Sequence, residues 1–446
     1  MQRDPLTEIR ELIAKRDWSS LKELLTKRPV ADIADLLSDL DKPERVLLFR
    51  CLPRTLGAEV FAYLETTDQD SLLKELTDEE TRSLIQNLAP DDRTALLSEL
   101  PAEVTQKLLT LLDPEELKEA RELLGYPEES VGRLMTPDYV SLRPDWTVSQ
   151  AMEEIRRTAQ SRETINVLYV TDAASRLVGV VSLRQIVLSR PGEKVRGIMR
   201  SPAISISAFE DREKAAKLME RYDLLALPVV DSQGVLVGIV TADDVLEVAQ
   251  EETTEDFHKG AGISPLKVSL KEATAQLLYK NRVTWLLGLV LVYLLSGNII
   301  SLFEGTIAKM VPLVFFLPLL IDSAGNAGAQ SATLMVRALA TGDVKARDWA
   351  RVVLREVALA LALGAIMGAI VWGVAALQVS AQVGIIAGIS MVLVVLASCV
   401  IGVAIPFILS KLGWDPAAAS SPLVTSVADI LGVIVYFSVA RWWLGI

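Results

Sequence analysis

The segment Ser421-Pro-Leu-Val-Thr-Ser-Val-Ala-Asp429-Ile-Leu-Gly-Val-Ile-Val-Tyr-Phe-Ser-Val-Ala-Arg441-Trp-Trp-Leu444 decides the class of the whole chain. It is rich in Leu, Val and Ala and long enough for a membrane helix, which needs about 20 mostly apolar residues. One carboxylate, Asp429, sits well inside it. A charge at that depth costs roughly 2.5–3.5 kcal/mol on insertion scales, so it needs a partner or a water-filled path. The one basic residue of the segment, Arg441, is about three helical turns away. A cation from solution is the simplest partner for Asp429; a protonated carboxyl hydrogen-bonded to a neighbouring helix is the other.

Apolar character is confined to the C-terminal part. Residues 1–281 are charged throughout and residues 282–446 are mostly apolar, although 51% of all 446 residues are hydrophobic. That length predicts two or three domains, a soluble half followed by a membrane half. The start, MQRDPLTEIR, has no apolar core, so no cleaved signal peptide is expected. Cys51 and Cys399 fall in different halves and suggest neither a disulfide framework nor a metal site. His258 is the only histidine, which removes most zinc and triad chemistry and argues against an enzyme. The net charge is −12, and residues 51–130 alone hold 19 Asp and Glu against 7 Lys and Arg. Such acidity argues against nucleic acid and suits cations.

Upstream, a leucine recurs every twelve residues: Leu40, Leu52, Leu64, Leu76, Leu88, Leu100, Leu112 and Leu124. Turn-and-cap signals follow, such as Thr77-Asp-Glu-Glu80 and Asp113-Pro-Glu-Glu116. Proline near the first helical position and acids in the first turn mark helix starts. Residues 1–130 therefore read as a superhelix of short helices that are too short to be stable singly and bury their leucines by stacking.

Residues 131–250 repeat themselves, as 131–195 and 196–250. Leu134-Met-Thr-Pro137 matches Ile198-Met-Arg-Ser-Pro202, and Leu177-Val-Gly-Val-Val-Ser182 matches Leu236-Val-Gly-Ile-Val-Thr241. Amphipathic helices are expected at residues 148–157 and 212–222. The pattern resembles the tandem cystathionine-β-synthase-type (CBS) module, a regulatory unit that often binds adenine nucleotides. The resemblance implies a nucleotide turn at Gly238, Thr241 and Asp244. The first half has Gly179 and Ser182, but Gln185 replaces the acid.

Glu247, Glu251 and Glu255 then recur at i+4, with Glu252 and Asp256 beside them. Like charges at that spacing repel by some tenths of a kcal/mol per pair. This run reads either as a solvated helix face or as a surface that a divalent cation bridges. Residues 251–281 are expected to form a connector, with an amphipathic helix over 263–282 lying along the membrane surface.

Five spans are expected, at about 284–303, 311–336, 353–377, 384–410 and 421–444. Basic residues flank the first span and fill the second and fourth connections, placing the soluble half in the cytoplasm and the C-terminus outside. The second span is interrupted in composition, with Pro318 preceding Asp322-Ser-Ala-Gly-Asn-Ala-Gly-Ala-Gln-Ser331. Its small and polar residues allow either close helix packing or exposed carbonyls along a water path. The fold class expected is thus multidomain α and α/β with a polytopic α-helical membrane domain, comprising superhelix, tandem CBS module, connector helix and five transmembrane helices.

Together these features resemble the MgtE family of magnesium channels, over almost the whole chain. The specific motifs are Gly325-Asn326-x-Gly328-x-Gln330-Ser331-Ala332-Thr333 and Asp415-Pro416 leading to Pro422-Leu423-Val424 and Asp429. The resemblance implies a homodimer in the bacterial inner membrane that takes up Mg²⁺ and is shut by cytosolic Mg²⁺, with ATP as a regulatory ligand. Asp429 would hold hydrated Mg²⁺ in a pore lined by Gly325, Asn326, Gly328, Ser421 and Asp322. Asp415, Glu252, Glu255 and Asp256 would bind gate-closing metal. Asp244, Asp223, Glu213 and Asp91 resemble further sensing sites. Ala329 and Ser421 replace asparagines found in close members, and Asp322 replaces a small residue. A coupled transporter of Mg²⁺, Co²⁺, Mn²⁺ and Ni²⁺, and a membrane-anchored nucleotide sensor, are the other functional classes these residues allow.

Overall fold

The computed structural model describes residues 5–266, 270 and 273–445. The chain forms two compact units, one ending at Glu251 and the other beginning at Glu252.

The first unit opens with short helices, from Pro5–Lys15 to Pro114–Leu124, each of 8 to 11 residues. The twelve-residue leucines stand just beyond or at the helix ends. Leu40, Leu64, Leu88, Leu100 and Leu112 are buried, while Leu52, Leu76 and Leu124 pack at the margin of the same core. Starts are fixed as the sequence suggests. Thr77 N–H donates to Glu80 Oε2 at 2.8 Å, and Glu80 N–H donates back to Thr77 Oγ1 at 3.2 Å. This reciprocal cap satisfies amides that have no partner inside the helix.

The repeat of residues 131–250 gives two three-stranded sheets of the same order. In the first, β1 (Ser141–Leu142) is parallel to β2 (Val167–Thr171), which is antiparallel to β3 (Leu177–Ser182). In the second, β4 (Ile206–Ser207), β5 (Ala226–Val230) and β6 (Leu236–Thr241) repeat that pattern. Helices Val148–Thr158 and Arg212–Tyr222 fall where amphipathicity puts them. The entry segment of each half pairs with the other half's last strand. Thr136 and Ile239 exchange two backbone hydrogen bonds of 2.9 Å, and Arg200 and Val180 exchange bonds of 2.8 and 3.0 Å. A Cβ on Gly179 would lie 2.8 Å from Arg200 O, and one on Gly238 would lie 2.9 Å from Thr136 O. Close passage of the crossing segment thus requires glycine at both positions.

Helix Ala242–Gly260 carries the acidic run. It ends there, with Gly262 at φ +70°, and the described residues between it and Ala275 are not helical. The amphipathic helix expected over 263–282 is therefore corrected at 263–266, 270, 273 and 274, while 275–282 are helical as the start of the next helix; 267–269 and 271–272 lie outside the described residues. Helix Ala275–Ser301 starts well before the span expected from 284, because Thr274 Oγ1 caps it by accepting from Leu277 N–H at 3.2 Å.

The second unit contains five long helices: Ala275–Ser301, Leu313–Ala340, Trp349–Gln378, Ala381–Lys411 and Ser421–Leu444, here the first to fifth long helices. Among the described residues, all but the second are both long and apolar enough to cross a membrane. The second, of 28 residues, is diluted by Asp322, Asn326 and Gln330. The third and fourth form a close hairpin in which a Cβ on Gly368 would meet Gly388 O at 2.7 Å. Small residues let helix backbones approach in lipid, where apolar burial gives little drive to associate.

Candidate ion path and acidic control sites

The second long helix runs unbroken through Pro318 and the Gly-Asn run, which favours close packing of the two readings its composition allowed. Packing neighbours on several sides hold a helix despite such residues. Gly325 and Gly328, expected to line the path, are buried contact positions. A Cβ on Gly328 would stand 3.0 Å from Ser398 O, and one on Gly325 would stand 3.4 Å from Thr425 and 3.3 Å from Asp429 Oδ1. Gly325 thus lets the fifth helix bring Asp429 against the second.

An exposed face of the second helix, with Asp322 one turn from Gly325, carries Asp322, Asn326 and Gln330. Residues four apart share one helix face. Asn326 Nδ2 donates to Asp322 Oδ2 at 3.2 Å. Asp322 is within electrostatic reach of Asp429. Ser421 is a half-buried residue at the start of the fifth helix, whose N-cap is its neighbour Ser420. Sequence reading passed over Glu356 in the third apolar segment, where its carboxyl meets the buried Ser331 hydroxyl of the second helix.

At the connector, Glu252, Glu255 and Asp256 are half-buried. Asp415 and Glu255 do come together, but around a lysine. Lys259 Nζ lies 2.5 Å from Glu255 Oε1 and 2.6 Å from Asp415 Oδ2. The other Asp415 oxygen accepts from Ala417 N–H at 2.8 Å. An ammonium thus stands between two of the four acids expected to bind gate-closing metal.

In the first unit, Asp91 and Asp244 are brought together across 153 positions of sequence. Burial, reinforced first by Asp244, raises the Asp91 carboxyl well above its ordinary value. Burial and the charges of Glu247, Glu163 and Asp243 raise Asp92 to about 6. Burial likewise raises Asp244, against the opposing hydrogen bond from Thr241. Thr241 Oγ1 donates to Asp244 Oδ2 at 2.6 Å, capping the helix that follows. In the first half Gln185 takes the same capping place without charge, accepting from Ser182 N–H at 2.9 Å. Glu213 and Asp223 lie at opposite ends of helix Arg212–Tyr222, about 15 Å apart at 1.5 Å per residue. They do not form one site within the chain; Glu213 pairs with Lys217 at 2.7 Å and Asp223 is exposed.

Among the described residues no group of three or more His, Cys, Asp or Glu is placed to hold a bare ion.

Comparison with known proteins agrees with this layout. The MgtE divalent cation transporter domain matches residues 317–439, the MgtE intracellular N domain residues 28–129, and CBS domains residues 131–191 and 195–251. The magnesium transporter MgtE of Thermus thermophilus is 36% identical over 99% of this chain and 99% of its own length. The chain belongs to the MgtE family. The MgtE of Bacillus subtilis is 34% identical over 94% of this chain and 95% of its own. Two solved structures resemble the soluble part. One is the cytosolic domain of the Mg²⁺ channel MgtE in complex with ATP, 37% identical, TM-score 0.52, covering 55% of this chain and 99% of that one. The other is the soluble part of a magnesium transporter, 30% identical, TM-score 0.53, covering 55% and 97%. Within an MgtE framework, the residues that sequence reading missed are Lys259, Glu356 and Glu163. Glu163 is an isolated acid with no signal in its neighbours.

Proposed function

We propose that the chain is a Mg²⁺-selective channel for magnesium uptake, working as a homodimer in the bacterial inner membrane with its first unit in the cytoplasm. Asp429 carries the reading. It is a carboxylate at membrane depth whose electrostatic neighbour is another carboxylate, Asp322, rather than a base. Such an arrangement suits a passing cation. Mg²⁺ binds through one or two carboxylates while retaining several waters, so Asp429 and Asp322 attract it without trapping it. Asn326 orients Asp322 through its side-chain amide. Thiols and imidazoles, which softer metals prefer, are absent from this face.

The same chemistry closes the channel. At low cytosolic Mg²⁺ the carboxylates of residues 1–130, the CBS pair and the connector repel, and the gate opens. At high Mg²⁺, hydrated ions between Asp91 and Asp244, and near Glu252, Glu255, Asp256 and Asp415, favour the closed form. Moving a population from 1:99 to 99:1 takes about 5.5 kcal/mol of differential binding, which calls for several weak sites. Glu213 and Asp223 join this set only across two copies. ATP at the Gly238, Thr241 and Asp244 turn biases the balance.

Mg²⁺ flux into liposomes tests the path. Asp429→Asn is expected to abolish it, and wild-type flux in that variant ends the reading. One observation favours coupled transport instead, the Glu356 carboxyl held by Ser331. Mg²⁺ currents that persist without proton or Na⁺ gradients decide against it.

A further inference from the structure

We propose that Lys259 is a built-in cation that ties the connector helix to the loop before the fifth long helix, joining without metal two carboxylates that a dication would otherwise have to bridge. This rests on the gated-channel reading and adds a regulatory contact to it. Glu255 and Lys259 are one helical turn apart, and Asp415 arrives from 156 residues away. The ammonium sits between the two carboxylates at 2.5 and 2.6 Å, and all three side chains are only partly exposed. The turn at Pro416 holds Asp415 in place, because Ala417 N–H fixes the oxygen that Lys259 does not use.

With Lys259 present, the trio carries a net charge of −1 and the connector can seat without metal. Without it, two facing carboxylates repel, and a dication is needed to join them. A lysine ammonium on its flexible stem can also swing away, unlike a forked guanidinium locked to one carboxylate. Dications therefore reinforce a contact that Lys259 already makes, and the lysine lowers the Mg²⁺ needed for closure.

The test uses the full-length chain in nanodiscs, with Lys259→Gln and with the swap Lys259→Glu plus Asp415→Lys. The swap keeps one cation between two acids. Spin labels at Phe257→Cys and Trp414→Cys, both exposed positions, report the connector-to-loop distance in a Cys51→Ser, Cys399→Ser background. In EDTA the parent chain is expected to give one short distance. Lys259→Gln is expected to give a broad one that shortens only on adding Mg²⁺, and the swap to restore the short one. Single-channel recording is expected to show the half-closing Mg²⁺ concentration rising about fivefold in Lys259→Gln, the effect of losing one partly exposed ion pair on a two-state balance. An unchanged EDTA distance in Lys259→Gln, or a swap that fails to restore it, overturns the tether. If the parent chain passes no Mg²⁺ current, the channel reading fails, and the distances alone still judge the tether.

Discussion

Replacing Gly402 by alanine puts a methyl group where the structure has no room for one. Its Cβ would lie 2.2 Å from Gly328 O and 3.1 Å from Ser331 Cβ, with Gly328 on the second long helix and Gly402 on the fourth. Close C···O contacts settle near 3.3 Å, so the helices must part by about 1 Å. The blocking atom is backbone, so no rotamer change relieves it. Overpacking of this kind costs about 1–3 kcal/mol. Alanine's better helix propensity returns at most about 1 kcal/mol. A net loss of about 1–2 kcal/mol is expected, read as a lower thermal unfolding midpoint in detergent. Gly373→Ala is the control, since nothing lies within 4 Å of its added methyl, and its midpoint should hold or rise. Flux should report the same displacement. Gly328 is one turn from Gly325, which abuts Asp429, so moving the helix moves one wall of the path and Mg²⁺ flux falls. A Gly402→Ala variant with parental midpoint and flux would refute the packing argument.

Two further outcomes follow from the first unit. The raised carboxyls of Asp91, Asp92 and Asp244 mean that the folded contact binds protons more tightly than separated groups do. That contribution is full below the ordinary value of 3.8 and is lost as pH rises through the folded value, about 6 for Asp92. Without metal, amide protection factors around residues 90–93 and 241–247, taken relative to the intrinsic exchange rate at each pH, should therefore be larger at pH 5.5 than at pH 7.5, and equal protection factors would count against the buried acidic contact. Calorimetry with ATP on the full chain should show binding that Asp244→Ala weakens at least tenfold, because Asp244 anchors the turn through Thr241; no heat from the parent chain would remove the nucleotide from the account.

The repeats were readable because each one restates its own rule. Leu40 to Leu124 keep a fixed period, and Val167–Thr171 has a counterpart in Ala226–Val230 with the same strand neighbours. The second long helix was harder. Glycine serves close packing and an open path equally well in composition, and only the positions of Thr425 and Ser398 assign Gly325 and Gly328 to packing. Pro318 disfavours a helix interior locally, yet the helix continues through it. Lys259 was hidden because it is one base among many acids and its second partner is 156 residues away. Glu356 was masked by the apolar residues around it, although one carboxylate in a membrane segment is itself a signal.

The exchanged backbone bonds of Thr136 with Ile239 and Arg200 with Val180 bear on where this polypeptide can be divided. A fragment stopping at residue 195 would leave the edge of β3 bare and its own leading segment without a strand to join. Neither half is then a free-standing building block. A change that loosens one crossed pair bears on both sheets, so the two halves respond as a unit.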